Sequence, residues 1–251
     1  MDIVEPDWPA PPSIIAFTTL RTGGISEGRY SSLNLADHVS DDRDAVETNR
    51  GILADHLPSG IRINWLQQVH GNIAVSVDDV AGVTQADAGV SSTRGQACAV
   101  LTADCLPVLM CSRDGSVVAA AHAGWRGLLA GILENAVRAM MVPPGDILAW
   151  LGPAIGPSAF EVGPEVRQAF LAASRPEHLP ATEACFVASS RSKKRYMADL
   201  YALAHLRLCG LGEANIFGGH DCTHSDSRRF FSFRRDGETG RMASVIAVRP
   251  R

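Results

Sequence analysis

Cys105 and His122 are the residues whose types and spacing point most directly to chemistry. They stand at the two ends of "CLPVLMCSRDGSVVAAAHAGWRG", where Asp114-Gly115 is a strong turn signal between two apolar runs. With those two residues as the loop, Arg113 pairs with Ser116, Pro107 falls opposite His122, and Cys105 falls opposite Gly124. Side chains alternate between faces along a strand, so Cys105, Pro107, His122 and Gly124 share one face. Cys105 and His122 are then diagonal neighbours, with Cβ atoms roughly 7 Å apart. A four-residue loop with the same centre keeps this parity, whereas an odd loop or a bulge breaks it. At that separation a thiolate and an imidazole can ligate one ion, or can form a pair that activates the sulfur for attack. A buried cysteine is more often a small apolar side chain. Its placement beside a histidine at one end of a hairpin is what argues for more.

A third donor is available in "QQVHGN", which puts His70 at a strand end just before a Gly-Asn turn. His-Cys-His is a sound three-ligand set for zinc, with a fourth position open to water. Sequence spacing does not itself bring His70 to the other two, so its membership is an expectation. The other histidines, His38, His56, His178, His205, His220 and His224, have no comparable setting and are assigned to surface or core.

Positive charge lies near these donors. Gly124 and Gly127 flank Trp125-Arg126 at a strand-to-helix junction, where free amides and a guanidinium suit an anion such as phosphate. Arg21 in "TTLRTGG" sits beside glycines that permit close backbone approach, and the pair Arg234-Arg235 in "FSFRRDG" adds further charge, although a paired arginine at a hairpin turn is more often simply exposed. Trp125, Phe231 and Phe233 offer faces on which a base can stack, although aromatic residues more often build cores.

The elements that must carry these groups are legible in the apolar periodicity. "SIIAFTTL" reads as a strand entering a Gly-Gly turn, and "DDRDAVETNRGILADHL" as a helix with an acidic start. "INWLQQVHGNIAVSV" reads as two β segments broken at His70-Gly71-Asn72. "GLLAGILENAVRAMM" is one amphipathic helix stopped by Pro143-Pro144-Gly145, and "GDILAWLGPAIG" is a strand leaving through a Gly-Pro turn. "PEVRQAFLAAS" and "ADLYALAHLRLCGLG" read as helices, and "FFSFRRDGETGRMASVIAVRP" as a hairpin ending in an apolar strand. The irregular alternation predicts an α+β fold, a single-domain sandwich over residues 1–251 with mixed or antiparallel sheets flanked by helices. Residues 1–13 read as an extended N-terminal arm.

The totals exclude several classes. A formal charge of −4 over 251 residues gives no electrostatic case for nucleic acid or an anionic membrane. The acidic, Pro-rich opening "MDIVEPDWPAPP" does not read as a signal peptide, and no stretch approaches a membrane span. The six cysteines contain no C-x-x-C pair and are expected to be reduced thiols in a cytoplasm. Neither G-x-G-x-x-G nor G-x-x-x-x-G-K-[ST] occurs, nor does the zinc deaminase signature H-x-E with P-C-x-x-C.

The segments "TLRTGGISEGRYSSLNLADHVSDD", "QQVHGN", "TADCLPVLM", "AAAHAGWRGL", "GPAIGP", "FEVG" and "FFSFRRDGETGRMA" together resemble the laccase-domain family of bacterial purine nucleoside phosphorylases. That family is also called multicopper polyphenol oxidoreductase and peptidoglycan editing factor. The resemblance runs from about Ile14 to Val248. It implies an α/β sandwich and a zinc site made by His70, Cys105 and His122. It also implies phosphorolysis of adenosine, inosine and methylthioadenosine to base plus ribose 1-phosphate, and hydrolytic deamination of adenosine. Relatives often carry cysteines after GPAIGP, where this chain has Ser158-Ala159, so thiol roles at that place do not transfer.

The expected enzyme is therefore zinc-dependent, with purine nucleoside and phosphate as partners, Arg126, Arg21 and Arg235 as phosphate-binding candidates, and Asp104 as a candidate proton shuttle. A Cys105–His122 hydrolase or amidase acting on a cell-wall precursor is the first alternative. The second is copper-dependent phenol oxidation; copper suits the same donors, but a multicopper centre needs paired histidines, and no H-x-H occurs. A non-enzymatic binding module is the third.

Overall fold

Apolar residues that alternate along the strands are accommodated by two stacked sheets, each covered on its outer face. The computed structural model describes residues 1–78, 82–212 and 215–251. One sheet has the strand order Ile3–Val4, Ile14–Thr19, Met242–Val248, Gln96–Thr102, Arg62–Asn64. The other runs Ile216–Gly218, Ile147–Leu151, Leu106–Ser112, Val118–Ala123, Ala88–Ser91, Ala74–Ser76. Both sheets are mixed, mostly antiparallel with parallel pairs at their edges.

Strand parity determines which layer each side chain enters. Cys98, Val100 and Ile246 of the first sheet meet Leu109, Val118, Ala120, Leu148 and Trp150 of the second in a core between the sheets. Ala97, Ala99, Val245 and Ala247 face outward, with Leu53 of the helix Arg43–His56 in the same core. Val108, Met110, Ala119 and Ala121 face the other way, onto Leu128, Leu133 and Val137 and onto Leu203 of the helix Leu200–Cys209. The result is the α+β sandwich expected from the sequence. Among the described residues no helix is long and apolar enough to cross a membrane.

Two local expectations are corrected. The segment after Gly124 forms two helices, Trp125–Ala130 and Ile132–Met140, because Gly131 adopts φ +92° between them. The segment before the last strand is not half of a hairpin. Phe233–Asp236 is a helical turn whose first free amides are served by the Ser232 hydroxyl, which accepts from Arg235 N. The strand Met242–Val248, buried along its whole length, instead lies between Ile14–Thr19 and Gln96–Thr102, antiparallel to both. The opening arm contributes the short strand Ile3–Val4, paired to Ile14–Thr19.

Replacing Gly131 by alanine forces a side chain into a left-handed conformation and should cost roughly 1–2 kcal/mol. A urea titration of Gly131→Ala checks this, with a lowered midpoint at unchanged slope as the expected outcome.

Candidate active site

The hairpin takes the register that puts Cys105 and His122 on one face. His122 is paired with Pro107 and Val118 with Cys111, and Ser112 N donates to Val117 O to close a four-residue loop with the expected centre. Cys105 lies just outside the strand, half-buried, and His122 is buried. The chain at Asp104 adopts φ +93°, a conformation rare for a residue with a side chain.

His70 arrives by a different route. It sits at φ +60° on the turn between Leu66–Gln67 and Ala74–Ser76, and its ring stands edge-on to His122 with centroids 4.8 Å apart. The ligating atoms of His70, Cys105 and His122 all lie within 4.8 Å of one another.

The residue that assembles them is Asp87, whose carboxylate is fully buried. It accepts from Val69 N at 3.2 Å, His70 N at 2.9 Å and Gly71 N at 2.7 Å, and it lies 2.8 Å from His122 Nδ1. One side chain therefore shapes the turn that carries His70 and orients the ring of His122. With Nδ1 engaged as a donor, Nε2 of His122 is left for Cys105 or a metal. Sequence reasoning missed Asp87, yet "QADAGV" held a signal: an acid inside an apolar run requires partners.

Charge follows this geometry. Burial alone would raise the Cys105 thiol pKa, but the neighbouring His122 charge and hydrogen bonds from both imidazoles outweigh it and bring it down to about 6. Burial would lower the His122 pKa, yet the Cys105 thiolate and Asp87 raise it instead. Burial also opposes charge on Asp87, and the bonds from His122, Gly71 and Val69 still hold it below the usual carboxylate range. The packing thiols go the other way, with Cys111 pushed up to about 12 and Cys185 to about 11 by burial. Cys105 is the thiol set apart for anionic chemistry.

One thiolate and two imidazoles suit a borderline-soft divalent ion such as zinc. The backbone leaves room for that set. A Cβ on Gly124 would lie 2.8 Å from Cys105 Sγ and 3.6 Å from His70 Cδ2, so only glycine keeps the space between them.

The donors open into a cleft of about 450 Å³. Arg126, Arg234 and Arg241 line it, each with its guanidinium over an aromatic ring: Trp125 at 4.6 Å, Phe160 at 5.4 Å and Phe233 at 6.0 Å. Arg126 and Trp125 are where sequence placed them. Arg21 and Arg235 do not line the cleft. Arg21 donates to Ser31 O and Ser227 O, and Arg235 to Thr223 O, His224 O and Phe230 O. Phe231 is wholly buried, whereas Phe233 is exposed on the cleft wall. Sequence does not anticipate Arg241 and His38, and of the adjacent pair Arg234-Arg235 it favours the second where the first faces the cleft, because the segment is a helical turn and not part of a hairpin. Asp104 lines the cleft, but both its oxygens are engaged, accepting from Thr223 Oγ1 and from Arg234 N at 2.6 Å each.

Comparison with known proteins gives a consistent picture. The family described as multi-copper polyphenol oxidoreductase laccase matches residues 15–249. A purine nucleoside phosphorylase of Pseudomonas aeruginosa is 52% identical over 97% of each chain. The purine nucleoside phosphorylase YfiH of Escherichia coli is 49% identical over 97% of this chain and 98% of its own. Among solved structures, a Neisseria meningitidis protein, NMB0706, superposes with a TM-score of 0.92 at 45% identity, covering 100% of both chains. YlmD from Geobacillus stearothermophilus gives 0.85 at 32% identity over 95% of this chain and 93% of its own.

Two outcomes follow from the geometry. Asp87→Asn should weaken metal affinity about 10–100-fold, the usual cost of losing a partner behind a ligating histidine, measured by chelator competition. In metal-stripped protein, alkylation of Cys105 should rise through about pH 6, and His122→Ala should move that rise upward. An alkylation rate that climbs only near pH 9 in both proteins would contradict the thiolate–imidazolium pair.

Proposed function

The chain belongs to the family described as multi-copper polyphenol oxidoreductase laccase, and from that premise we propose that it is a zinc-dependent purine nucleoside phosphorylase. Its substrates are adenosine, inosine and methylthioadenosine, cleaved with phosphate to base and ribose 1-phosphate; it also deaminates adenosine hydrolytically. The observation that carries this reading is that the three donors, three guanidinium groups and the aromatic rings of Trp125 and Phe233 share one cleft of small-molecule size. The names of the relatives support the same reaction.

Cys105, His70 and His122 hold the ion. Zinc there supplies Lewis acidity and, for deamination, lowers the pKa of water from 15.7 toward about 7. Asp87 keeps His122 in the ligating tautomer and holds the His70 turn. Arg126, Arg234 and Arg241 neutralise the phosphate and fix it against the ribose, a task for which planar, permanently charged donors are suited. Their charge also disfavours a cationic nucleoside unless phosphate is already present. Trp125 and Phe233 offer faces to the purine ring.

A second reading rests on one observation. Cys105, His122 and the buried Asp87 have the order nucleophile, base, orienting acid found in thiol hydrolases. Under it the chain would act on an amide, as in a cell-wall precursor, without metal.

Phosphate-dependent formation of ribose 1-phosphate from inosine decides between them. The phosphorylase reading predicts turnover that is lost in Cys105→Ala and in chelator-stripped protein and restored by zinc. It predicts a phosphate KM raised about 10–100-fold in Arg241→Ala, the worth of one charge-assisted pair. Absence of phosphorolysis with all three nucleosides in zinc-loaded protein would overturn it. Amidase turnover retained after stripping would establish the second reading instead.

A further inference from the structure

Breaking the bond between ribose C1′ and purine N9 sends an electron pair into the base, which leaves far more readily if N7 takes a proton. The proposed function assigns no group to that task. Among the described residues lining the cleft, the ionisable side chains other than arginine are His38, His70, Asp104, Cys105 and His122. Three of these form the donor cluster. Asp104 has both oxygens occupied by Thr223 and the Arg234 amide. The arginines stay charged and do not give up protons. His38 is what remains.

His38 has the surroundings of a working group and not of a packing one. It stands on the loop before the helix Arg43–His56, more than half exposed at the side chain, and lines the same cleft as Arg126 and Arg241. Its closest acidic partner is Asp37, with Nδ1 to Oδ1 at 3.8 Å, beyond hydrogen-bond distance. Asp37 is itself engaged by Arg50 at 3.3 Å. Nδ1 of His38 thus faces Asp37, while no described residue hydrogen-bonds Nε2, which is open to a ligand.

We propose that His38 is a catalytic residue, the general acid that protonates N7 of the departing purine. The inference rests on the phosphorylase reading above. In the step, a phosphate oxygen forms the bond to C1′ as the C1′–N9 bond breaks. The electron pair passes into the purine, and the His38 imidazolium gives its proton to N7. The neutral imidazole then regains a proton from solvent.

The charges facing the ring agree with this role. Partial burial, then Arg241, and to a lesser extent Arg50, hold the His38 pKa below its ordinary value, with Asp37 opposing them. A lowered pKa makes the imidazolium the better proton donor and, at neutral pH, the scarcer form. Its fraction falls as pH rises through a value below 6.5, so the protonated route weakens toward alkaline pH.

Inosine and 7-methylinosine separate this function from every other loss. The methylated base already carries positive charge at the imidazole ring and leaves without a proton. Zinc-loaded wild type, His38→Ala and His38→Gln are compared with both nucleosides and phosphate, after confirming equal metal content and equal unfolding midpoints. His38→Ala should lose about 100-fold or more in kcat on inosine, the usual worth of a positioned acid, and little on 7-methylinosine. Glutamine, which can hydrogen-bond but not titrate, should not restore inosine turnover. The ratio of the two wild-type rates should fall with rising pH, and the variants should show a flat ratio. Equal losses on both nucleosides, no loss on either, or full rescue by glutamine each overturns the assignment while leaving the phosphorylase reading intact. Wild type inactive on both nucleosides removes that reading, and the assignment with it.

Discussion

The buried Asp87 carboxylate is the interaction on which the site depends. A carboxylate taken fully out of water is costly unless its oxygens are satisfied, and here three backbone amides and one imidazole satisfy them. The arrangement links two parts of the chain that spacing alone leaves apart. His122 belongs to the strand Val118–Ala123, paired with Ala88–Ser91, and its amide donates to the backbone oxygen of Asp87 at 2.7 Å. His70 belongs to the turn whose amides converge on the Asp87 side chain. Loss of that charge removes the reason for His70 to hold its left-handed conformation, and frees His122 to change tautomer.

Close backbone approach supplies the remaining constraint. A Cβ on Gly127 would lie 2.7 Å from Gly71 O, so the helix Trp125–Ala130 packs directly against the His70 turn. Gly124 leaves open the space around Cys105 Sγ. Asp104 ties the Cys105 turn to the opposite wall, because it accepts from the Arg234 amide while its own backbone oxygen accepts from Ile155 N. The metal donors and Phe233-Arg234 are thus held by short polar contacts, and Trp125-Arg126 by the close packing of its helix, within the two-sheet frame. A site built this way presents its charges preorganised, at little reorganisation cost when an anion enters.

Local periodicity made much of this readable from sequence. A symmetric Asp-Gly turn sets the hairpin parity, so the sequence alone places Cys105 and His122 on one face. His70 was harder, since its approach depends on Asp87, a residue distant from it in sequence and recognisable only as an acid in an apolar run. The arginines divided for a related reason. Arg126 follows a strand whose register was known. The side chains of Arg234 and Arg235 point by the rotation of a helical turn that Ser232 initiates, and a strand reading of the same residues gives the opposite answer. His38 lies on a loop with no period, where sequence carries no facing information at all.

The central claim is that one sulfur and two imidazole nitrogens, assembled by Asp87, form a single metal centre. X-ray absorption at the zinc edge, on protein expressed without added metal, tests it most directly. The account predicts about one zinc per chain, with one sulfur near ~2.3 Å and two nitrogens at ~2.0–2.1 Å, the distances expected for thiolate and imidazole ligation. A coordination shell without sulfur, or with several sulfurs, would contradict it.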